Sequence, residues 1–261
     1  MNEILNQISQ KSINYYIEAN LDDFYTKSSE HTNFVSRIDD RISWVLSKKG
    51  DWPDCIFKAN FENLNLKKEI STVKKLIRKK KVPNGWTIGP LTVPENLGSN
   101  LEKYGFLNVY QQAGMAAELE NLKNIVINED DLDIQKVDNE KELANWSKVV
   151  SKVFNLRINF DFLKFLRLQK EIQFYLGKYE GNVVSALMLY LGSGVAGLHA
   201  VSTLSEYRGK GFGLSISRKA LIDAFQKGYY IGVLQASTMG ERVYRKLGFL
   251  KYCDIISYAL N

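Results

Sequence analysis

Cysteine and histidine are almost missing from this chain, with two of each in 261 residues. Cys55 and Cys253 lie in different halves and form no CxxC or other ligand spacing, and His31 and His199 are too few for a histidine-rich zinc site. No metal and no disulfide framework are therefore expected, and free thiols fit a reducing, cytoplasmic setting. Proline is also scarce: Pro53, Pro83, Pro90 and Pro94 all fall in the first half. The N-terminus has no apolar core followed by small residues, so it does not read as a secretory signal. A membrane-length apolar run is lacking too. One uncharged stretch, 183–203, is broken by Gly192-Ser193-Gly194 and reads as two buried strands joined by a hairpin.

What is present is an ordinary globular balance, 45% hydrophobic and 25% charged, in a chain long enough for two domains. The net charge is +6, from 35 basic and 29 acidic residues, with an excess of +2 in residues 1–125 and +4 in 126–261. A mild basic excess suits an anionic small ligand better than nucleic acid.

Hydrophobic periodicity places helices at 1–28, 64–80 and 94–104 of the first half, and strands at 33–38, 43–46, 55–61, 86–88 and 106–119. After an acidic connector at 128–131, the second half reads as a strand (133–137), helices at 140–154 and 160–170, and a three-strand meander at 172–179, 183–191 and 195–203. A helix (211–227), a strand (230–236), a helix (239–247) and terminal strands at 249–252 and 255–260 follow. The halves resemble a diverged repeat. Leu101-Glu102-Lys103-Tyr104-Gly105-Phe106-Leu107 aligns with Tyr244-Arg245-Lys246-Leu247-Gly248-Phe249-Leu250, each at a helix-to-strand junction where glycine ends the helix. A boundary between 125 and 126 follows.

The segment that carries chemistry is Arg208-Gly209-Lys210-Gly211-Phe212-Gly213, between a strand and a helix. Three glycines let the backbone turn tightly and present successive N–H groups to one point, and the helix that starts there adds its positive end. Arg208 and Lys210 add charge. The combination makes a diphosphate cradle. It matches neither G-x-G-x-x-G nor G-x-x-x-x-G-K-[ST], so dinucleotide and triphosphate folds are not indicated.

With its flanks, Val201 to Gly213, then Ala220-Leu221, Gly228-Tyr229, Leu234 to Ser237, Gly240 and Tyr244 to Phe249, the segment resembles the acetyl-CoA motifs of the GNAT N-acetyltransferases over residues 130–261. The resemblance implies an α/β fold of two tandem domains, each a mixed, largely antiparallel sheet flanked by helices. It implies a pantetheine arm paired with Val201 and Thr203, a diphosphate on Arg208–Gly213, and a hydrogen bond from Ser237, where many members carry Asn. Tyr244 would protonate the leaving thiolate. The strand 195–203 offers no carboxylate as base, which leaves His199 as its ionisable candidate, and Glu206 in the following turn reads as solvated. The first half lacks the glycine loop, reading Phe61-Glu62-Asn63-Leu64-Asn65-Leu66 instead, and has Leu101 in the place of Tyr244. It should bind no CoA and instead shape the acceptor pocket.

The expected function is acetyl transfer from acetyl-CoA to a primary amine of a small or amino-acid-like acceptor. A glycine N-acyltransferase-like enzyme with a longer acyl donor, and a non-catalytic acyl-CoA-binding regulatory protein, are the alternatives. Lys74, Lys75, Arg78, Lys79, Lys80 and Lys81 crowd one helix end. They read as a solvated helix face or an anion-binding patch, and no interleaved aromatics point to nucleic acid.

Overall fold

The computed structural model describes residues 4–9, 12–125 and 132–261, so the acidic connector at 128–131 lies outside the described residues. In the first half, helix α1 (Ile13–Ser28) is followed by strands β1 (Phe34–Arg37), β2 (Ser43–Ser47) and β3 (Cys55–Phe57), helix α2 (Leu66–Arg78), strand β4 (Gly85–Ile88), helix α3 (Leu97–Lys103) and strand β5 (Phe106–Glu118). The second half contains β6 (Asp133–Lys136), α4 (Glu140–Phe154), α5 (Phe160–Arg167), β7 (Ile172–Tyr179), β8 (Asn182–Gly192), β9 (Val195–Thr203), α6 (Phe212–Gln226), β10 (Ile231–Ala236), α7 (Thr238–Arg245) and β11 (Leu250–Leu260).

The expected mixed α/β architecture is present, and the halves share one 11-stranded sheet in the order β1-β2-β3-β4-β11-β5-β10-β9-β8-β7-β6. The last strand of each half crosses over. β5 pairs antiparallel with β10 through Ala113–Glu118, and β11 pairs antiparallel with β4 through Ile256–Ala259. β5 and β11 also pair with each other, from Leu250↔Ala116 to Leu260↔Phe106. The repeat is visible in the backbone. Gly105 and Gly248 both take positive φ (88° and 80°) where α3 and α7 end, and Lys58, just after β3, and Ala200, within β9, both have φ 51°. Left-handed backbone suits glycine at the first pair and marks an irregularity at the second.

Helices cover both faces. On one face α6 lays Ile216, Ala220, Leu221 and Ala224 against Met115, Leu187, Leu189, Leu198 and Leu234, while α2 and α3 close over Trp86 and Phe106 in the other half. On the opposite face α4 and α5 bury Trp146 and Phe162, and α1 spans the junction, with Ile13 and Ile17 packing on Ala116, Val195 and Val233. Apolar contact between α1 and strands of both halves ties them together.

Several element bounds differ from expectation. Helix α1 begins at Ile13; residues 4–9 are irregular, and Leu5 and Ile8 pack against the α1 cluster from outside the helix. The third strand stops at Phe57 because Lys58 turns left-handed. The two terminal strands are one, β11, whose register shifts between Lys251 and Cys253.

Candidate functional site

β9 and β10 run parallel but pair only through Ala196–Leu198 and Gly232–Leu234. Beyond that point they part. The cause lies in β9: Ser202 opposes Ala186 and His199 opposes Met188, so Ala200 and Val201 face the single residue Leu187, and Ala200 takes positive φ. This bulge turns the end of β9 away from β10. The gap is a cleft of about 460 Å³ whose walls include Val201, Thr203, Gly211, Ser237 and Tyr244.

The glycine loop forms the mouth. Gly209 and Gly211 have φ 82° and 88°, and Gly211 is the N-cap of α6. A side chain on Gly209 would meet nothing within 4 Å, whereas one on Gly213 would touch Thr203 Oγ1 at 3.6 Å. The N–H groups of residues 209–213 have no acceptor among the described residues. A cluster of free N–H groups at a helix start fits a diphosphate. Arg208 donates from Nε to the Thr203 carbonyl at 3.2 Å, which holds the loop against the end of β9. Lys210 is not in the cleft wall; its Nζ sits 4.4 Å from the centre of the Tyr179 ring.

Ser237 is the N-cap of α7, accepting the Gly240 N–H at 3.1 Å, and it keeps its own hydroxyl proton to donate into the cleft. Tyr244 lies on α7 with its ring 5.9 Å from Phe249, and Ser217 lies close behind it on α6. Ser217 in turn donates to the Gly213 carbonyl at 2.7 Å. Burial pushes the Tyr244 phenol well above its ordinary pKa, so it is a protonated donor throughout the physiological range.

The structure does not bring His199 to the cleft. The bulge at Ala200 reverses which face the neighbouring side chains take, and the imidazole lies under α1, only 8% exposed. Its Nε2 is 2.9 Å from Asn20 Oδ1, and it stacks on Phe24 with ring centres 5.3 Å apart. Since Asn20 Nδ2 donates to the Gly192 carbonyl, Oδ1 is the acceptor and His199 carries its proton on Nε2. Burial lowers its pKa to about 4. These are the features of a neutral docking contact for α1, and His199 is withdrawn as the base. Glu206 pairs with Lys152 at 2.9 Å outside the cleft, which draws its carboxyl down to about 2.

The cleft wall also includes Phe154, Met239 and Lys246, with Ser217 behind Tyr244, none of which stands out in the sequence as a site residue. Ser217 had a usable signal: it lies one helical turn after Gly213, on the inner face of the glycine-loop helix.

In the first half the corresponding gap is closed. β3 and β4 pair at Ile56↔Trp86 alone, but where they part, Val93 takes the space, accepting the Phe61 N–H at 2.7 Å and donating to the Ala59 carbonyl at 3.0 Å. The space that would admit a ligand's backbone-like arm is filled by the chain itself. Asn65 caps α2 through the Lys68 N–H, so no loop of free N–H groups forms there.

Residues 139–249 match the Acetyltransferase (GNAT) family. These residues form a GNAT-family domain. A GCN5-related N-acetyltransferase from Kribbella flavida is similar in fold, with a TM-score of 0.69 at 15% identity over 92% of this chain and 95% of that one. Another from Sphaerobacter thermophilus reaches 0.64 at 11% identity, covering 97% and 93%. A GCN5-related N-acetyltransferase-like protein from Streptococcus suis reaches 0.58 at 15% identity, covering 96% and 99%. These likenesses extend over both halves and concern the fold. No curated protein matches the sequence. Acyl transfer from an acyl-CoA is the activity of that family. Among the described residues no group of His, Cys, Asp or Glu is placed to hold a metal ion, and no helix is long and apolar enough to cross a membrane.

Proposed function

We propose that this protein is an N-acetyltransferase that moves an acetyl group from acetyl-CoA to a primary amine, with its one acyl-CoA site in the second half. The observation that carries the proposal is the cleft between β9 and β10, opened by the Ala200 bulge and floored by the free N–H groups of residues 209–213. The bulged strand end at Val201–Thr203 supplies backbone groups for the pantetheine amides. Gly209–Gly213 supply donors for the diphosphate, and Arg208 and Lys210 lie beside them as cations. The plugged gap in the first half supports a single site.

The amine nitrogen forms a bond to the thioester carbonyl carbon, the carbon–sulfur bond breaks, and the thiolate leaves as the amine gives up a proton. Tyr244 is the donor facing the sulfur. A phenol whose pKa lies above that of a thiol acts chiefly by hydrogen-bonding the developing thiolate, and its help is concentrated in the transition state. The cleft wall holds no carboxylate or imidazole among the described residues, so the amine's proton passes to water through the open mouth. The test is thiol release from acetyl-CoA with a panel of amines. An active amine supports the reading; release with none, despite tight CoA binding, favours an acyl-CoA-binding regulatory protein.

A further inference from the structure

β5 is an interior strand for only half its length. Through Ala113–Ala116 it lies between β11 and β10, but along residues 106–112 it pairs, among the described residues, with β11 alone. Its other edge is open there, beginning where β10 ends at Ala236 beside the cleft. Residues 107–111 are all exposed, including Leu107 (50%), Val109 (56%) and Tyr110 (46%). An unpaired edge lined with apolar side chains is a template for an added strand.

The cations of α2 stand at the far end of that edge. Lys74 Nζ donates to the Tyr104 carbonyl at 2.5 Å, immediately before β5 begins. Lys75, Arg78, Lys79, Lys80 and Lys81 are exposed and form no ion pair with a described residue. The open edge therefore runs from the acyl-transfer cleft at one end to an uncompensated basic cluster at the other.

We propose that the acceptor is the N-terminal α-amine of a polypeptide, bound as an added strand along residues 106–112 of β5, with acidic residues further along it held by the α2 cations. The inference rests on the transferase reading above and names its substrate class. Strand direction decides which end reacts. β10 is antiparallel to β5, and a peptide that continues the position of β10 past Ala236 is antiparallel too. Its first residue then lies at Gln112, next to the cleft, and its chain leads towards Phe106. A parallel peptide would present a carboxylate to the thioester. Seven residues of strand span about 23 Å at roughly 3.3 Å each, so acidic residues from about the seventh position onward meet the cations. Main-chain pairing holds the peptide without fixing its sequence, and the charge steers it.

The test uses the full chain, CoA, and a C-terminally labelled peptide with a free N-terminus, alternating Thr and Val before a run of Glu. Binding is followed by fluorescence anisotropy and transfer by thiol release. The wild type should bind this peptide about tenfold or more tightly than a Lys-tailed counterpart. The exposed triple variant Lys75→Glu, Lys79→Glu, Lys80→Glu should lose that preference while binding CoA as before. Backbone N-methylation at one alternating set of peptide positions should weaken binding, and N-terminal acetylation should abolish thiol release. Equal affinity for both tails, or indifference to N-methylation of either set, overturns the proposal. So does tighter binding of a single-stranded oligonucleotide, or an edge closed by a second copy of the chain in light scattering. If CoA itself does not bind, the transferase reading fails; if CoA binds and the peptide does not, this inference alone fails.

Discussion

Tyr244→Phe separates the chemistry of the cleft from its binding. The substitution removes one hydroxyl and leaves the ring on Phe249. Ser217 donates to the Gly213 carbonyl at 2.7 Å with or without the hydroxyl, so no donor is stranded, and the stability change should stay within about 1 kcal/mol. CoA affinity should stay within about twofold, because the diphosphate and pantetheine contacts come from residues 201–213. The rate should fall. Loss of a positioned proton donor costs about 10²–10⁴-fold, and the open mouth lets water substitute in part, so a loss near 10²-fold, about 2.7 kcal/mol, is expected. Because burial raises the phenol's pKa, wild-type kcat should also show no loss on the alkaline side near the ordinary phenol range. The assay is steady-state thiol release beside a CoA titration. Wild-type turnover in the variant, with the chemical step shown to be rate-limiting, removes Tyr244 from the mechanism; loss of CoA binding recasts it as a packing residue.

Three further outcomes follow from the structure. His199→Ala should leave the acidic limb of the kcat/KM profile unchanged but lower the melting temperature, since Asn20 loses its partner; a shifted limb would restore His199 as the base. The His199 pKa is about 4 in the fold against 6.5 unfolded, so its contribution is present above pH 6.5 and lost as pH falls towards 4, a loss the variant should not show. Burial raises Glu18 from 4.5 to about 7, so its contribution is present below pH 4.5 and lost as pH rises through 7; Glu18→Gln should be more stable than wild type at pH 8 by up to about 3 kcal/mol and equal to it near pH 4, as read by denaturant titration. Residues 126–261 expressed alone lack β5 between β10 and β11, and should be aggregated or unfolded by circular dichroism; a folded fragment would show the exchanged strands to be dispensable.

The glycine loop, the meander and the repeat were legible because each is written in local residue types: three glycines in five positions, alternating apolar runs, and paired glycine–phenylalanine junctions. The joined sheet was not, because the partner of β5 is chosen by packing between halves, and its pattern is the same whether it pairs with β4 or β10. His199 misled for a related reason. Its face depends on the bulge at Ala200, where an alanine takes a left-handed φ that no residue type announces. The plug at Val93 is equally silent, being made by backbone groups alone. Ser237 reads as a pantetheine contact and is also a helix cap, two roles that one hydroxyl can serve.

In the proposed function the glycine loop of the second half holds CoA. Calorimetric titration of CoA into the full chain and into Gly211→Asp tests it most directly. At this position φ is 88° and the residue lines the cleft among N–H groups with no acceptor among the described residues, so a carboxylate there would oppose the diphosphate. One site per chain is expected in the wild type, and at least about a hundredfold weaker binding in a variant whose circular dichroism is unchanged. Two sites per chain, or a folded Gly211→Asp protein that binds CoA at wild-type affinity, would contradict it.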